Sequence, residues 1–193
     1  MAKRNIIYIP GLSDPYTLER LVLLLWHLLG AKVYYFPSRW SSSEDFEQKL
    51  ARLTDKCDEL LTQHKPLSLV GTSAGASLAI NGLGKYRDKI KGVTLICGKI
   101  NNPQTIGQRI YTKNPAFRES IDRSLEVISS LTKDERARIL SIHPIRDLSV
   151  PVPDTIIDGA VEKQVPTYGH IPSIAIIITL YKWSIVRFLH RWR

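Results

Sequence analysis

The sequence predicts an α/β protein built on a doubly wound, mostly parallel sheet of about six strands with helices on both faces. Six short apolar runs of strand length alternate with stretches of helical periodicity. The alternation runs through the chain without internal repeats, low complexity or an obvious linker. At 193 residues, with 44% hydrophobic and 23% charged residues, the chain reads as a single folded domain over 1–193.

The first strand is expected at Asn5–Ile9. Asp14-Pro15 then reads as an N-cap with proline at the first helical position. Leu18, Leu21, Val22, Leu25, Leu28 and Leu29 follow at helical spacing up to Gly30, and Lys32–Phe36 is the second strand. The serines Ser41–Ser43 read as the cap of a long helix with Phe46, Leu50, Leu53, Cys57, Leu60 and Leu61 on one face. Leu67–Val70 is the third strand, followed by a glycine-rich turn and a helix from about Ala74 to Tyr86. Gly92–Cys97 is the fourth.

Residues 98–135 are less regular and read as a candidate small cap-like insertion, with a helix starting near Asn114-Pro115 and a capping box at Thr132-x-x-Glu135. Ile139–Ile142 and about Glu162–Val165 complete the strands. From about Pro172 a single tail helix is expected, with Ile174, Ile177, Ile178, Tyr181, Ile185 and Phe188 on one face.

In such sheets the chemistry lies at the carboxyl ends of the strands. After the third strand stands Gly71-Thr72-Ser73-Ala74-Gly75. A serine on a tight strand-to-helix turn needs glycine on both flanks, and the turn lifts its hydroxyl beside a helix N-terminus, where negative charge is favoured. A phosphate-binding glycine turn is the competing reading. It fails because neither G-x-x-x-x-G-K-[ST] nor G-x-G-x-x-G occurs; Gly82-Leu83-Gly84-Lys85 comes nearest.

A serine nucleophile needs a base. Of five histidines, His27, His64 and His190 fall within or at the ends of helices, and His143 follows the fifth strand. His170, in Tyr168-Gly169-His170 directly after the last strand, has the best position. The carboxylate that orients it is expected to be Asp147, with Asp158 and Glu162 as rivals. Glu162 leaves only eight residues to the base, fewer than the ~10–12 of a parallel crossover, whereas Asp147 leaves 23. The oxyanion donors are expected to be the backbone N–H groups of Ala74 and of Leu12, the latter in the turn Pro10-Gly11-Leu12-Ser13.

These residues together resemble the α/β-hydrolase superfamily, whose chain order of nucleophile, acid and base is that of Ser73, Asp147 and His170. More narrowly, the stretch from Leu140-Ser141-Ile142 through Asp147, Val150 and Asp158-Gly159-Ala160 to Gly169-His170-Ile171 is similar to the acid-to-histidine segment of small lidless bacterial lipases and esterases. The resemblance covers most of the chain from Ile6 onward and implies a minimal α/β-hydrolase fold. It implies a serine esterase, lipase or thioesterase acting through an acyl-enzyme on a small ester or lipid-like substrate, with no cofactor and no metal. The alternative is a hydrolase-like fold used as a non-catalytic binding or scaffolding module.

Composition narrows the rest. Two cysteines, Cys57 and Cys97, exclude a disulfide scaffold and a cysteine-based zinc site, and suit a cytoplasmic location. The four-residue apolar run before Pro10 is too short for a signal peptide, and no run approaches the roughly 20 apolar residues of a membrane span. The formal net charge is +9, yet no nucleic-acid motif accompanies it. Lys182, Arg187, Arg191 and Arg193 around the apolar tail are the pattern of a last helix packed on the sheet or, alternatively, of weak contact with a membrane surface. Oligomeric state leaves no trace in the sequence.

Overall fold

The protein is described by a computed structural model over residues 4–12 and 17–192. Six strands, β1 (Arg4–Ile9), β2 (Ala31–Tyr35), β3 (Leu67–Thr72), β4 (Ile90–Ile96), β5 (Ile139–Arg146) and β6 (Val161–Tyr168), form one sheet. Their order is β2-β1-β3-β4-β5-β6, and every neighbouring pair is parallel. The α/β doubly wound class is therefore the observed one. The chain steps outward from β1 to β2 and returns to β3, which makes the β1–β3 boundary the topological switch point where a crevice opens.

Both faces of the sheet are covered, so the central strands are apolar on both sides instead of alternating. Ile7 and Ile9 of β1 point into one core with α2 (Phe46–Leu61), α3 (Gly75–Lys85) and α5 (Pro115–Ser130), through Leu50, Leu53, Leu78, Phe117 and Ile121. Ile6 and Tyr8 point into the opposite core with α1 (Thr17–Leu24), α7 (His170–Leu180) and α8 (Lys182–Leu189), through Leu23, Trp26, Ile177, Ile185 and Leu189. Between β4 and β5 lie a short 3-10 turn at Pro103–Thr105, α4 (Gln108–Lys113), α5 and α6 (Lys133–Ala137).

Several local expectations change. The cap of α2 is Asp45, not the serine cluster. Its carboxylate accepts from the Gln48 N–H at 2.8 Å while the Gln48 side chain accepts from the Asp45 N–H at 3.0 Å, a capping box contributing about 1 kcal/mol. The expected capping box of α6, Thr132 with Glu135, is present. The stretch after β1 stays α-helical only to Leu24 and tightens to a 3-10 helix over Leu25–Leu29. Leu23 and Trp26 are buried, while Leu21, Leu25 and Leu28 of the expected inner face are exposed. That segment is apolar nearly all round, so spacing gives its length but not its inward side. The tail is two helices, not one. It starts at His170, and α7 and α8 are bent 66° apart at Tyr181. No single helix among the described residues is long and apolar enough to cross a membrane; α7 and α8 pass that test by length and composition only as this bent pair. The expected cap at Asp14-Pro15 and the Ser13 end of the turn lie outside the described residues.

Candidate functional site

The G-x-S-x-G turn is shaped by close backbone approach. Ser73 has φ 51°, an unusual conformation for a residue with a side chain. Its N–H donates to Ile96 O at 3.0 Å, and its own carbonyl accepts from the Lys99 N–H at 3.0 Å. The strained residue is thus clamped between the ends of β3 and β4. A Cβ on Gly71 would lie 2.6 Å from Gly75 O, and one on Gly75 would overlap Ile9 O and lie 2.5 Å from Pro10 O. The glycines let α3 start directly against the end of β1. Ala74 stands at the N-cap of α3, where the first N–H groups lack intrahelical acceptors. Across the switch point, a Cβ on Gly11 would fall 2.9 Å from Ser73 Cβ and 3.3 Å from Ser73 Oγ. The turn carrying Leu12 therefore lies against Ser73.

The histidine and the carboxylate meet through sheet register. Arg146, the last residue of β5, pairs with Tyr168, the last of β6, and the Gly169 N–H donates to Arg146 O at 2.9 Å. Each strand end then hands over its next residues side by side, Asp147 on one and His170 on the other. His170 Nδ1 lies 2.6 Å from Asp147 Oδ2, and His170 Nε2 lies 2.8 Å from Ser73 Oγ. With Nδ1 protonated, the imidazole donates to the carboxylate and accepts from the serine hydroxyl. The Asp147 side chain is 1% exposed and that of His170 12%. Burial opposes ionisation of Asp147. The hydrogen bond from His170 and those from the N–H groups of Val150 (3.0 Å) and Ser149 (2.8 Å) outweigh it and hold the carboxyl below its ordinary range.

The structure thus brings Ser73, His170 and Asp147 into one hydrogen-bonded chain, with Leu12 and Ala74 beside it. It does not bring the rival carboxylates there. The Glu162 carboxylate lies 2.7 Å from His143 Nε2 on the β5–β6 ladder, and Asp158 is exposed, with its backbone carbonyl accepting from Arg136 at 2.9 Å. His143 is buried in that pair, and His190 sits at the end of α8. Cys97, Asp147 and His170 are the one group among the described residues with metal-ligating spacing. Burial and the nearby Asp147 charge push the Cys97 thiol well up, which keeps it protonated and a poor ligand, while Asp147 and His170 are already joined.

Two residues that sequence reading missed are Lys99 and Asp154. Both are buried and form an ion pair, and Asp154 also accepts from Asn102 Nδ2 at 2.6 Å and Thr105 Oγ1 at 2.7 Å. Lys99 is the residue whose N–H holds Ser73 O, and Asp154 follows the turn that wraps the Asp147 carboxylate. An isolated lysine and aspartate carry no periodic signal; only their spacing after β4 and β5 could have marked them.

No family model matches the chain, and no curated protein matches it by sequence. Solved structures do match over nearly its full length. The monoacylglycerol lipase of Paleococcus ferrophilus superposes with TM-score 0.65 over 98% of this chain and 96% of its own, at 13% identity. Est1E from Butyrivibrio proteoclasticus gives 0.71 over 98% and 88%, also at 13% identity. Mouse alpha/beta hydrolase domain-containing protein 10 gives 0.66 over 97% and 90%, at 15% identity. The fold is that of the α/β-hydrolases.

Proposed function

We propose that the protein is a serine hydrolase that cleaves carboxylic esters, of esterase, lipase or thioesterase type, through a Ser73–His170–Asp147 triad and an acyl-enzyme. The observation that carries this reading is the unbroken hydrogen-bonded chain from Ser73 Oγ through His170 to Asp147, with the serine on a strained turn at a helix N-terminus. In the first half-reaction Ser73 Oγ attacks the ester carbonyl carbon as His170 Nε2 takes its proton. The tetrahedral oxyanion accepts hydrogen bonds from the N–H groups of Leu12 and Ala74. His170 then protonates the leaving alkoxide or thiolate as the bond to it breaks. A water, deprotonated by His170, attacks the acyl-enzyme and returns the serine. Asp147 stays ionised throughout and stabilises the imidazolium, and this role fits its lowered pKa.

The chain neighbours of the two partner residues, Leu148 and Ile171, are exposed. They supply an apolar rim that suits an acyl chain or other apolar ester substituent. The lipase among the structural neighbours is named for a glycerol ester, which supports the same substrate class. The free, buried thiols of Cys57 and Cys97 support a reducing, cytoplasmic setting.

A fluorophosphonate probe tests the reading directly. The wild type should label and the Ser73→Ala variant should not, with loss of ester turnover in parallel. Equal labelling of the two, or no labelling of the wild type, would reject Ser73 as the nucleophile.

A further inference from the structure

We infer that the outward face of α1, α7 and α8 docks on the surface of an anionic lipid bilayer. Charge is segregated along the sequence. Residues 20–43 and 163–193 contain no aspartate or glutamate, yet they hold Arg20, Lys32, Arg39, Lys163, Lys182, Arg187, Arg191 and Arg193. Of these, Arg20, Lys163, Lys182, Arg187 and Arg191 belong to the layer of α1, α7 and α8, whereas Lys32 lies over the Tyr34 ring on the opposite face of the sheet and Arg39 pairs with Glu44. The α1 segment and the tail are distant in sequence and adjacent in space. Trp26 Nε1 donates to Ile178 O at 3.0 Å, and Leu23 and Trp26 share one buried cluster with Ile177, Ile178 and Ile185.

The same layer exposes large apolar side chains. Leu21, Leu24 and Leu28 of α1 and the following 3-10 turn are exposed, Leu28 by 83%, as are Leu180 (75%) and Trp183 (60%) on the bent pair. Arg20, Arg187 and Arg191 are exposed among them. The one carboxylate on these three helices, Glu19 of α1, is half-buried and accepts from the Tyr8 hydroxyl. Leucine and tryptophan side chains flanked by cations fit an interface of apolar chains beneath anionic headgroups. A second copy of this chain is a poor occupant, because two such faces would repel. Nucleic acid is a poor one as well, because it offers the exposed leucines nothing apolar to enter.

Vesicle sedimentation with the intact Ser73→Ala chain reads this docking without relying on ester turnover. The chain should pellet with vesicles of phosphatidylcholine plus phosphatidylglycerol and stay in the supernatant with phosphatidylcholine alone. Tryptophan emission should shift to the blue on binding, with Trp183 as the exposed reporter, since Trp26 and Trp40 are already buried and Trp192 is partly buried, and Trp183→Phe should remove most of the shift. Each cation at an anionic surface contributes a factor of about five, so Arg20→Gln/Arg187→Gln/Arg191→Gln should weaken partitioning about 100-fold. The apolar variant Leu21→Gln/Leu24→Gln/Leu28→Gln, with a thermal melt to show that it folds, should weaken it about 10-fold or more. Failure to pellet with anionic vesicles would overturn the inference. So would undiminished binding by the apolar variant, or a lipid-free dimer that this variant dissociates.

Discussion

Lys99 and Asp154 form a buried ion pair that ties the segment holding Ser73 O to the segment that follows Asp147. Removing one partner leaves the other buried and uncompensated. Asp154→Ala should therefore cost about 3–5 kcal/mol in urea unfolding. The pair also sets a pH dependence. Burial opposes ionisation of Asp154, but hydrogen bonds from Lys99, Asn102 and Thr105 prevail and lower its pKa. A lowered carboxylate stabilises the fold above the unfolded value of about 3.9, and that stability drains away as pH falls through the folded value. Unfolding curves taken from pH 7 down to pH 3 should show a loss in the wild type that is smaller in Asp154→Asn.

On the proposed reading, Asp147→Asn keeps the size of the side chain but removes the charge that stabilises the imidazolium. It also exchanges an acceptor for a donor opposite His170 Nδ1, favouring the wrong tautomer. Ester turnover should fall roughly 10³–10⁴-fold in kcat with KM little changed, as expected of a group acting in the transition state. Steady-state kinetics on a soluble ester checks this. Since Asp147 is held ionised, its own titration should contribute no limb to the wild-type rate profile above about pH 5.

The strands were legible in the sequence because each is a short apolar run, and all six lie within a few residues of the expected spans. Every neighbouring pair of strands is parallel, and this places residues 10–12, 73 and 170 together near the strands' carboxyl ends. What stayed hidden is whatever tertiary packing decides. The break at Tyr181 carries neither proline nor glycine, so a periodic apolar stripe runs straight through it. The inward side of residues 21–29 was unreadable because every position except His27 is apolar. Asp45 outcompeted three serines as a helix cap because it alone stands three residues before Gln48. The partnership of His170 with Asp147 depends on a register between β5 and β6 that spacing bounds but does not dictate.

Glu162 offers a direct comparison with Asp147. Its carboxylate is half exposed and engaged with His143. Glu162→Gln should leave ester turnover within about twofold of wild type and change stability by about 1 kcal/mol or less, the range for a partly exposed pair. A loss of turnover matching that of Asp147→Asn would move the acid to position 162.

The turn beneath Ser73 leaves no room for a methyl group, and it separates stability from activity. In Gly75→Ala the new Cβ would meet the backbone carbonyls of Ile9, the last residue of β1, and of Pro10 directly after it, and a chain anchored in the sheet cannot retreat there. The helix α3 must move as a body, so the variant should lose about 3 kcal/mol or more in thermal or urea unfolding, at the upper end of overpacking costs. In Gly11→Ala the Cβ meets the Ser73 side chain itself, 2.9 Å from Cβ and 3.3 Å from Oγ. A side chain can yield by a small rotation, so stability should drop by only about 1 kcal/mol. That rotation carries Oγ away from His170 Nε2, now 2.8 Å distant. A misplacement of about 1 Å costs up to roughly 100-fold in rate, so Gly11→Ala should fold and yet lose most of its ester turnover and its labelling rate with fluorophosphonate. Wild-type labelling in a folded Gly11→Ala protein would show that the turn at Leu12 does not constrain the serine.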